Sequence, residues 1–240
     1  MNKIVVYSGS RSQDSRTNQI VKDITTYINR EFIDVDIKNF NPVDTPLNHS
    51  TGCKNCFNHG FCPSDGRDGD YGLMLKESLE EAKLIIFATP VYSHNVSSDA
   101  KVFIDRLSYW GHILKMLGKP VITLITAESN GGNVVEDYVH KVFSIMGSTI
   151  AHSDVFYRYE SDLYEEKLDD IKEAITELYH KEFKIDYTSK HEATFQTMQA
   201  ILSRYPKDHF EYRYWLENGM FESDSLDEYI KANKKKFNFA

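Results

Sequence analysis

Long apolar runs are missing from this chain. The longest, Leu84–Ala88 and Val121–Ile125, fall far short of the roughly 20 residues that a membrane helix needs. No membrane partner is expected. The amino terminus runs at once into a strand-like segment, with no charged-then-apolar leader, so a cytoplasmic protein is expected. Positive charge is also in short supply: 28 Lys and Arg against 36 Asp and Glu leave a net charge of −8. A dense basic face for nucleic acid is therefore not expected, although a local basic site for one phosphate remains open. Two nucleotide signatures are absent. Without G-x-x-x-x-G-K-[ST] or G-x-G-x-x-G, a nucleoside triphosphate site and a Rossmann dinucleotide site are both disfavoured. Cysteine is scarce: three residues, all clustered at Cys53, Cys56 and Cys62. An odd, clustered set argues against a secreted disulfide framework and raises metal, redox or thiol chemistry instead. No internal repeat is visible, and low complexity is confined to Lys234–Lys236.

What is present suffices for a packed core: the chain is 41% hydrophobic and 13% aromatic, which speaks against disorder. Lys3–Tyr7 is a short β-branched run that leaves into Ser8-Gly9-Ser10. From Thr17 to Arg30 the period changes, with Ile20, Ile24, Tyr27 and Ile28 on one helical face. Phe32–Lys38 alternates as a strand does. Residues 39–70 have no period and read as a long loop, of the kind that is usually functional. A helix over Gly72–Glu81 and a strand over Leu84–Ala88 follow. Next come a helix from Ser98 to Trp110, the strand Val121–Ile125 and a helix carrying Val135, Val139, Val142 and Met146. Thr149–Tyr157 is a fifth strand, and Leu168, Ile171, Ile175 and Leu178 mark a fifth helix. Five strands alternating with five helices predict an α/β fold with a doubly wound parallel sheet. Continuously apolar strands suit a sheet covered on both faces. Residues 1–182 form the predicted domain. Residues 183–240 read as a helical C-terminal extension, with helices over Ala193–Ser203 and Leu226–Lys234.

In such sheets ligands sit beyond the carboxyl ends of the strands, which singles out three loops. The first, 8–18, is rich in hydroxyls and opens a helix. Free N–H groups and the partial positive charge at a helix start favour a phosphate. Ser10, Ser12, Ser15 and Thr17 add donors, and Arg11 or Arg16 can neutralise a dianion. An ordinary capped loop reads the same way. The second loop, 89–97, offers the rigid Pro90, the flat face of Tyr92 and the amide of Asn95, which suit a planar heterocycle with polar edges. The third, 126–133, lets backbone approach a ligand closely at Gly131 and Gly132.

At these residues the chain resembles the NADPH-dependent FMN reductases and iron–sulfur flavoproteins of the flavodoxin-like fold. The first loop is similar to the family's G-S-x-R-x-x-S-x-T phosphate loop, with Arg11 one place early and Ser12 where the arginine usually stands. The run Pro90-x-Tyr92, Ser97-Ser98, Lys101, Phe103 and Asp105-Arg106 resembles the family's P-x-Y…S…K-x-F-x-D-R pattern. The resemblance covers roughly residues 1–180. It implies FMN held at its phosphate by the loop from Ser8, through Ser10, Arg11, Ser12, Ser15, Thr17 and Asn18. Isoalloxazine contacts are implied from Pro90, Val91, Tyr92, Ser93 and Asn95, and from Thr126, Ala127, Glu128, Ser129, Gly131 and Gly132. Lys101, Asp105 and Arg106 are expected to be structural or interfacial.

Cluster-bearing members of that family place four cysteines in the next segment. Here Cys53, Cys56 and Cys62 remain, with His59 at the third position. Three readings stand side by side: a Cys₃His iron–sulfur cluster, a Cys₃His zinc site, or cysteines that pack the loop. The resemblance implies an FMN-dependent NAD(P)H oxidoreductase that passes a hydride from a nicotinamide through flavin to a small-molecule acceptor. No side chain is assigned as acid or base, because the flavin carries the chemistry. The alternative is a flavin electron carrier docking a redox partner, which an acidic surface helps to steer. A homodimer or homotetramer is expected, with the aromatics Tyr205, Phe210, Tyr212, Tyr214, Trp215 and Phe221 of the extension serving an interface, a lid or plain packing.

Overall fold

The computed structural model describes residues 1–234, 237 and 239; of the Lys234–Lys236 run only Lys234 is among them. Strands β1 (Asn2–Ser8), β2 (Val35–Phe40), β3 (Leu84–Tyr92), β5 (Pro120–Ala127) and β6 (Thr149–Tyr157) form one parallel sheet in the order β2-β1-β3-β5-β6. The two-residue strand β4 (Asn95–Val96) folds back antiparallel on the end of β3. The order is that of a flavodoxin-like sheet, with its switch point between β1 and β3.

Side chains alternate across a strand, and here both sets are apolar. Val5, Tyr7, Ile85, Phe87, Val121 and Ile125 face one layer, against helices α3 (Gly72–Glu81), α4 (Ser98–Arg106) and α5 (Gly132–Ile145). Ile4, Val6, Leu84, Ile86, Ile122 and Leu124 face the other, against α1 (Arg16–Glu31) and α6 (Tyr164–His180). That double burial is why the strands read as unbroken apolar runs.

Several boundaries depart from the sequence reading, β3 running on to Tyr92 and the helix read over Ala193–Ser203 starting at Ser189 among them; two have a clear local cause. The second strand begins at Val35 rather than Phe32, because the Phe32 N–H closes α1 on the Ile28 carbonyl at 3.0 Å and its ring is buried. Helix α4 stops at Arg106, and residues Ser108–Gly111 form a tighter turn that carries Trp110. There the Ser108 hydroxyl donates to the Asp105 carbonyl at 2.9 Å, competing with the helical ladder.

The long segment 41–71 is mostly irregular, with one short helix, α2 (Asn55–His59). Ion pairs beneath it hold it down. Arg106, 2% exposed, donates to Asp65 at 2.6 Å, to both oxygens of Asp70 at 2.6 and 2.9 Å, and to the Asn48 carbonyl at 2.9 Å. Lys76 adds a 2.7 Å bond to Asp65. Burial alone would pull the Arg106 guanidinium down, but Asp70 and Asp65 hold it firmly in its charged form.

Past residue 183 come α7 (Ser189–Leu202), α8 (Phe210–Glu217) and α9 (Leu226–Ala232). Phe195, Leu202, Trp215, Leu226 and Tyr229 of this extension join the same buried cluster as β1 and β3. The Trp215 indole N–H donates to the His112 carbonyl at 2.9 Å. Phe210 packs on Gly60 of the cysteine segment, where a β-carbon would lie 2.4 Å from its ring.

Candidate functional site

The three loops named from the sequence converge beyond the carboxyl ends of β1, β3 and β5. The first is shaped by its own hydroxyls. Ser15 caps α1, accepting from the Asn18 N–H at 3.2 Å, while Ser10 donates to Ser15 at 2.8 Å. The Asn18 amide donates to the carbonyls of Ser10 and Ser12 at 3.3 and 2.8 Å. Side chains then tie the loops together. Thr17 and Thr126 share a buried 2.7 Å hydroxyl bond, joining the first loop to the third. The Ser97 hydroxyl donates to the Gly9 carbonyl at 2.6 Å. Gly9 is pinned there, since a β-carbon would meet that of Ala100 at 2.8 Å.

The second loop is a tight hairpin between β3 and β4. Val91 pairs with Val96 and Tyr92 with Asn95, around Ser93 and His94 at φ 51° and 57°. Two successive left-handed residues suit the twist of a two-residue hairpin and carry backbone strain, which concentrates at functional sites. The third loop comes within contact of the hairpin: a β-carbon on Gly131 (φ 79°) would lie 3.2 Å from both Val91 and His94. On Gly132 it would lie 2.2 Å from Val155 and 2.7 Å from the Tyr157 hydroxyl.

Between these loops lies a cleft of about 320 Å³. Of the residues picked from the sequence, Ser10, Ser12, Ser15, Thr17, Pro90, Val91, Tyr92, Thr126, Ala127 and Glu128 line it. Tyr92 is 56% exposed at its rim, as a flat contact surface would be. Ser93, Asn95, Ser129, Gly131 and Gly132 form the turns behind these walls. Ser8, Arg11 and Asn18 are placed elsewhere, lining a second cavity on the far side of the loop. Asp99 is the reason for Arg11, which it binds through two 2.8 Å contacts. The cleft's cations are instead Arg16, which also donates to the Tyr157 carbonyl at 3.1 Å, and Arg158, 3.2 Å from Glu128. Asp14 and Arg158 were missed in the sequence. Arg158 follows β6 directly, so the strand-end rule already held a signal for it.

A helix start with free N–H groups, clustered hydroxyls and Arg16 accommodates a phosphate. Pro90, Val91 and Tyr92 of the hairpin and Thr126, Ala127 and Glu128 at the end of β5 line the rest of the cleft. Fold and cleft together define a flavodoxin-like flavin-binding protein. Comparison with known proteins gives the family: residues 2–160 match the model of the NADPH-dependent FMN reductases, and the chain belongs to that family. It is 25% identical over 182 residues to the "Iron-sulfur flavoprotein" of Archaeoglobus fulgidus, covering 72% of this chain and 80% of that one. Its fold is similar to an FMN-dependent NADH-azoreductase of Bacillus anthracis in complex with FMN, with TM-score 0.55 and 12% identity. That alignment covers 74% of this chain and 99% of that one. RosB with a bound formylriboflavin phosphate intermediate gives TM-score 0.56 at 14% identity and covers 93% of this chain and 88% of its own.

The cysteine segment fits a cluster poorly. Iron–sulfur clusters are normally held by four thiolates, and this chain has three cysteines. Among the described residues no three His, Cys, Asp or Glu side chains are gathered as a metal site. Cys53 and His59 are exposed, whereas Cys56 is half-buried and packs with Phe57 against the core. Cys62 is half-buried near Arg106. The backbone N–H of Asn55 and the Thr51 hydroxyl pull the Cys53 thiol down, and burial pushes Cys56 up.

Proposed function

We propose that the protein is an FMN-dependent oxidoreductase that takes a hydride from a nicotinamide nucleotide and delivers two electrons to a small-molecule acceptor. The observation that carries this reading is the single cleft in which the hydroxyl-rich start of α1 meets the Pro90–Asn95 hairpin and the Thr126–Gly132 turn. Membership of the FMN reductase family supports it.

FMN, when bound, supplies the two-electron chemistry. The chain's residues hold and orient it. Ser10, Ser12, Ser15 and Thr17, with the free N–H groups of α1, grip the phosphate, and Arg16 balances its charge. Pro90, Val91 and Tyr92 offer one wall to the ring, Thr126 to Glu128 the other. Backbone N–H groups of the hairpin and of Ser129–Gly132 stand ready to bond polar ring edges and to stabilise charge developing there. Arg158, at the mouth, suits the phosphates of a nicotinamide donor.

The test is a visible spectrum of protein purified without air, before and after NADPH. A flavin spectrum that bleaches on addition is expected. A flavin that stays oxidised would replace the reductase by an electron carrier fed by a partner. Failure to retain FMN after incubation would overturn the flavoprotein reading altogether.

A further inference from the structure

A cavity of about 170 Å³ lies on the other edge of the sheet, between the core and the C-terminal extension. Its polar wall comes from Glu80 at the end of α3 and from Lys115 and Lys119 just before β5. These positions precede β3 and β5, so the cavity sits at the amino ends of the strands, away from the cleft. Leu114, Leu117 and Met220 give it apolar walls, and Tyr214 and Tyr229 close it from α8 and α9.

Its polar groups are under-satisfied. The Lys119 ammonium donates to the carbonyls of Glu80 and Ala82 at 2.8 and 2.9 Å, capping α3. An ammonium has three donors, so one is left, and no carboxylate pairs with Lys119 among the described residues. The nearby Glu80 carboxylate is taken by Lys115 at 3.0 Å. Burial, with Lys83 and Lys115 close by, pulls Lys119 down to about 8. Tyr229 is 2% exposed, and neither its hydroxyl nor that of Tyr214 has a hydrogen-bond partner among the described residues. Hydroxyls and an ammonium N–H without a protein partner at a cavity wall are free to bond a ligand.

We propose that this cavity binds a small carboxylate with an apolar body, the anion meeting Lys119 and the Tyr214 and Tyr229 hydroxyls. Size sets the body: an apolar cavity of about 150 Å³ accepts benzene, so an aromatic acid of one ring fits. Because α8 and α9 supply one side of the cavity, occupancy fastens the extension to the core.

Sodium benzoate is the probe, titrated calorimetrically into the full chain, with thermal unfolding as a second readout. One saturable site per chain and a rise in melting temperature are expected. Benzyl alcohol, which keeps the ring and loses the charge, should bind at least about tenfold more weakly, as should benzoate to Tyr229→Phe. Lys119→Met should abolish binding. Because that change also uncaps α3, Tyr229→Phe, which keeps the ring, is the deciding variant. Arg158→Ala, at the opposite edge, should bind benzoate as wild type does. Absence of saturable heat, undiminished binding to Tyr229→Phe, or loss of binding in Arg158→Ala would each overturn the proposal.

Discussion

Replacing Arg106 by methionine should cost about 3–5 kcal/mol at neutral pH, the range found when one partner of a buried ion pair is removed. Methionine keeps much of the apolar stem and loses every polar contact. Asp65 then retains Lys76 at 2.7 Å. Asp70, whose side chain is 0% exposed, retains only the N–H groups of Asn48 and Gly72 at 2.7 and 2.8 Å. It is the group left charged and buried without a cation. Domains have about 5–15 kcal/mol in total, so the loss is a large share. The sign with pH follows from the Asp70 carboxyl. Burial pushes it up, but Arg106 and the two N–H groups more than reverse this, so it lies below its ordinary value. Its contribution is therefore present above about pH 4, near the unfolded carboxyl value, and lost as pH falls below that. In the variant, burial without Arg106 raises the same carboxyl above the unfolded value, and protonation relieves it. The deficit should shrink between about pH 7 and about pH 4.5. Urea unfolding followed by tryptophan fluorescence at both pH values reads this directly. Asp70→Asn in the Arg106→Met background should recover part of the loss. A cost under about 1 kcal/mol at neutral pH, or a deficit that grows on acidification, would refute the reasoning.

Three further outcomes are expected. Gly132→Ala places a methyl 2.2 Å from Val155; overpacking of this kind costs about 1–3 kcal/mol, and fluorescence titration should show weaker FMN binding. Arg16→Ala should weaken FMN about tenfold or more by losing a charged phosphate contact, whereas Arg11→Ala, whose guanidinium is spent on Asp99, should change FMN affinity little. In timed iodoacetamide labelling read by mass spectrometry, Cys53, exposed and with its thiol pulled down, should react before Cys56, which burial pushes up.

Much of the fold was legible because its signals are local. A strand covered on both faces has to be apolar at every position, so Leu84–Ala88 and Val121–Ile125 stand out without a partner in view. Helix α1 declared itself through Ile20, Ile24 and Ile28, all 0% exposed. The short helices α2 and α8 did not: each is under three turns, and α8 forms where Phe210 meets Gly60 and Trp215 reaches the His112 carbonyl. The hairpin at Ser93-His94 was also hidden, since the pair lacks the Asn-Gly or Asp-Gly signature that usually marks a two-residue turn.

At the site, the chain order alone determined which loops meet. In a right-handed doubly wound sheet the segments after β1, β3 and β5 must share one edge. What the sequence could not determine was which side chains within those loops face the cleft. Asp99 draws Arg11 away, while Arg16 and Arg158 point in. The same holds for the cavity at the opposite edge, which Lys119 and Tyr229 line together from more than a hundred residues apart. Periodicity records burial, which each residue satisfies by itself. Pairing across the fold depends on two residues at once, and only the packed tertiary structure brings them together.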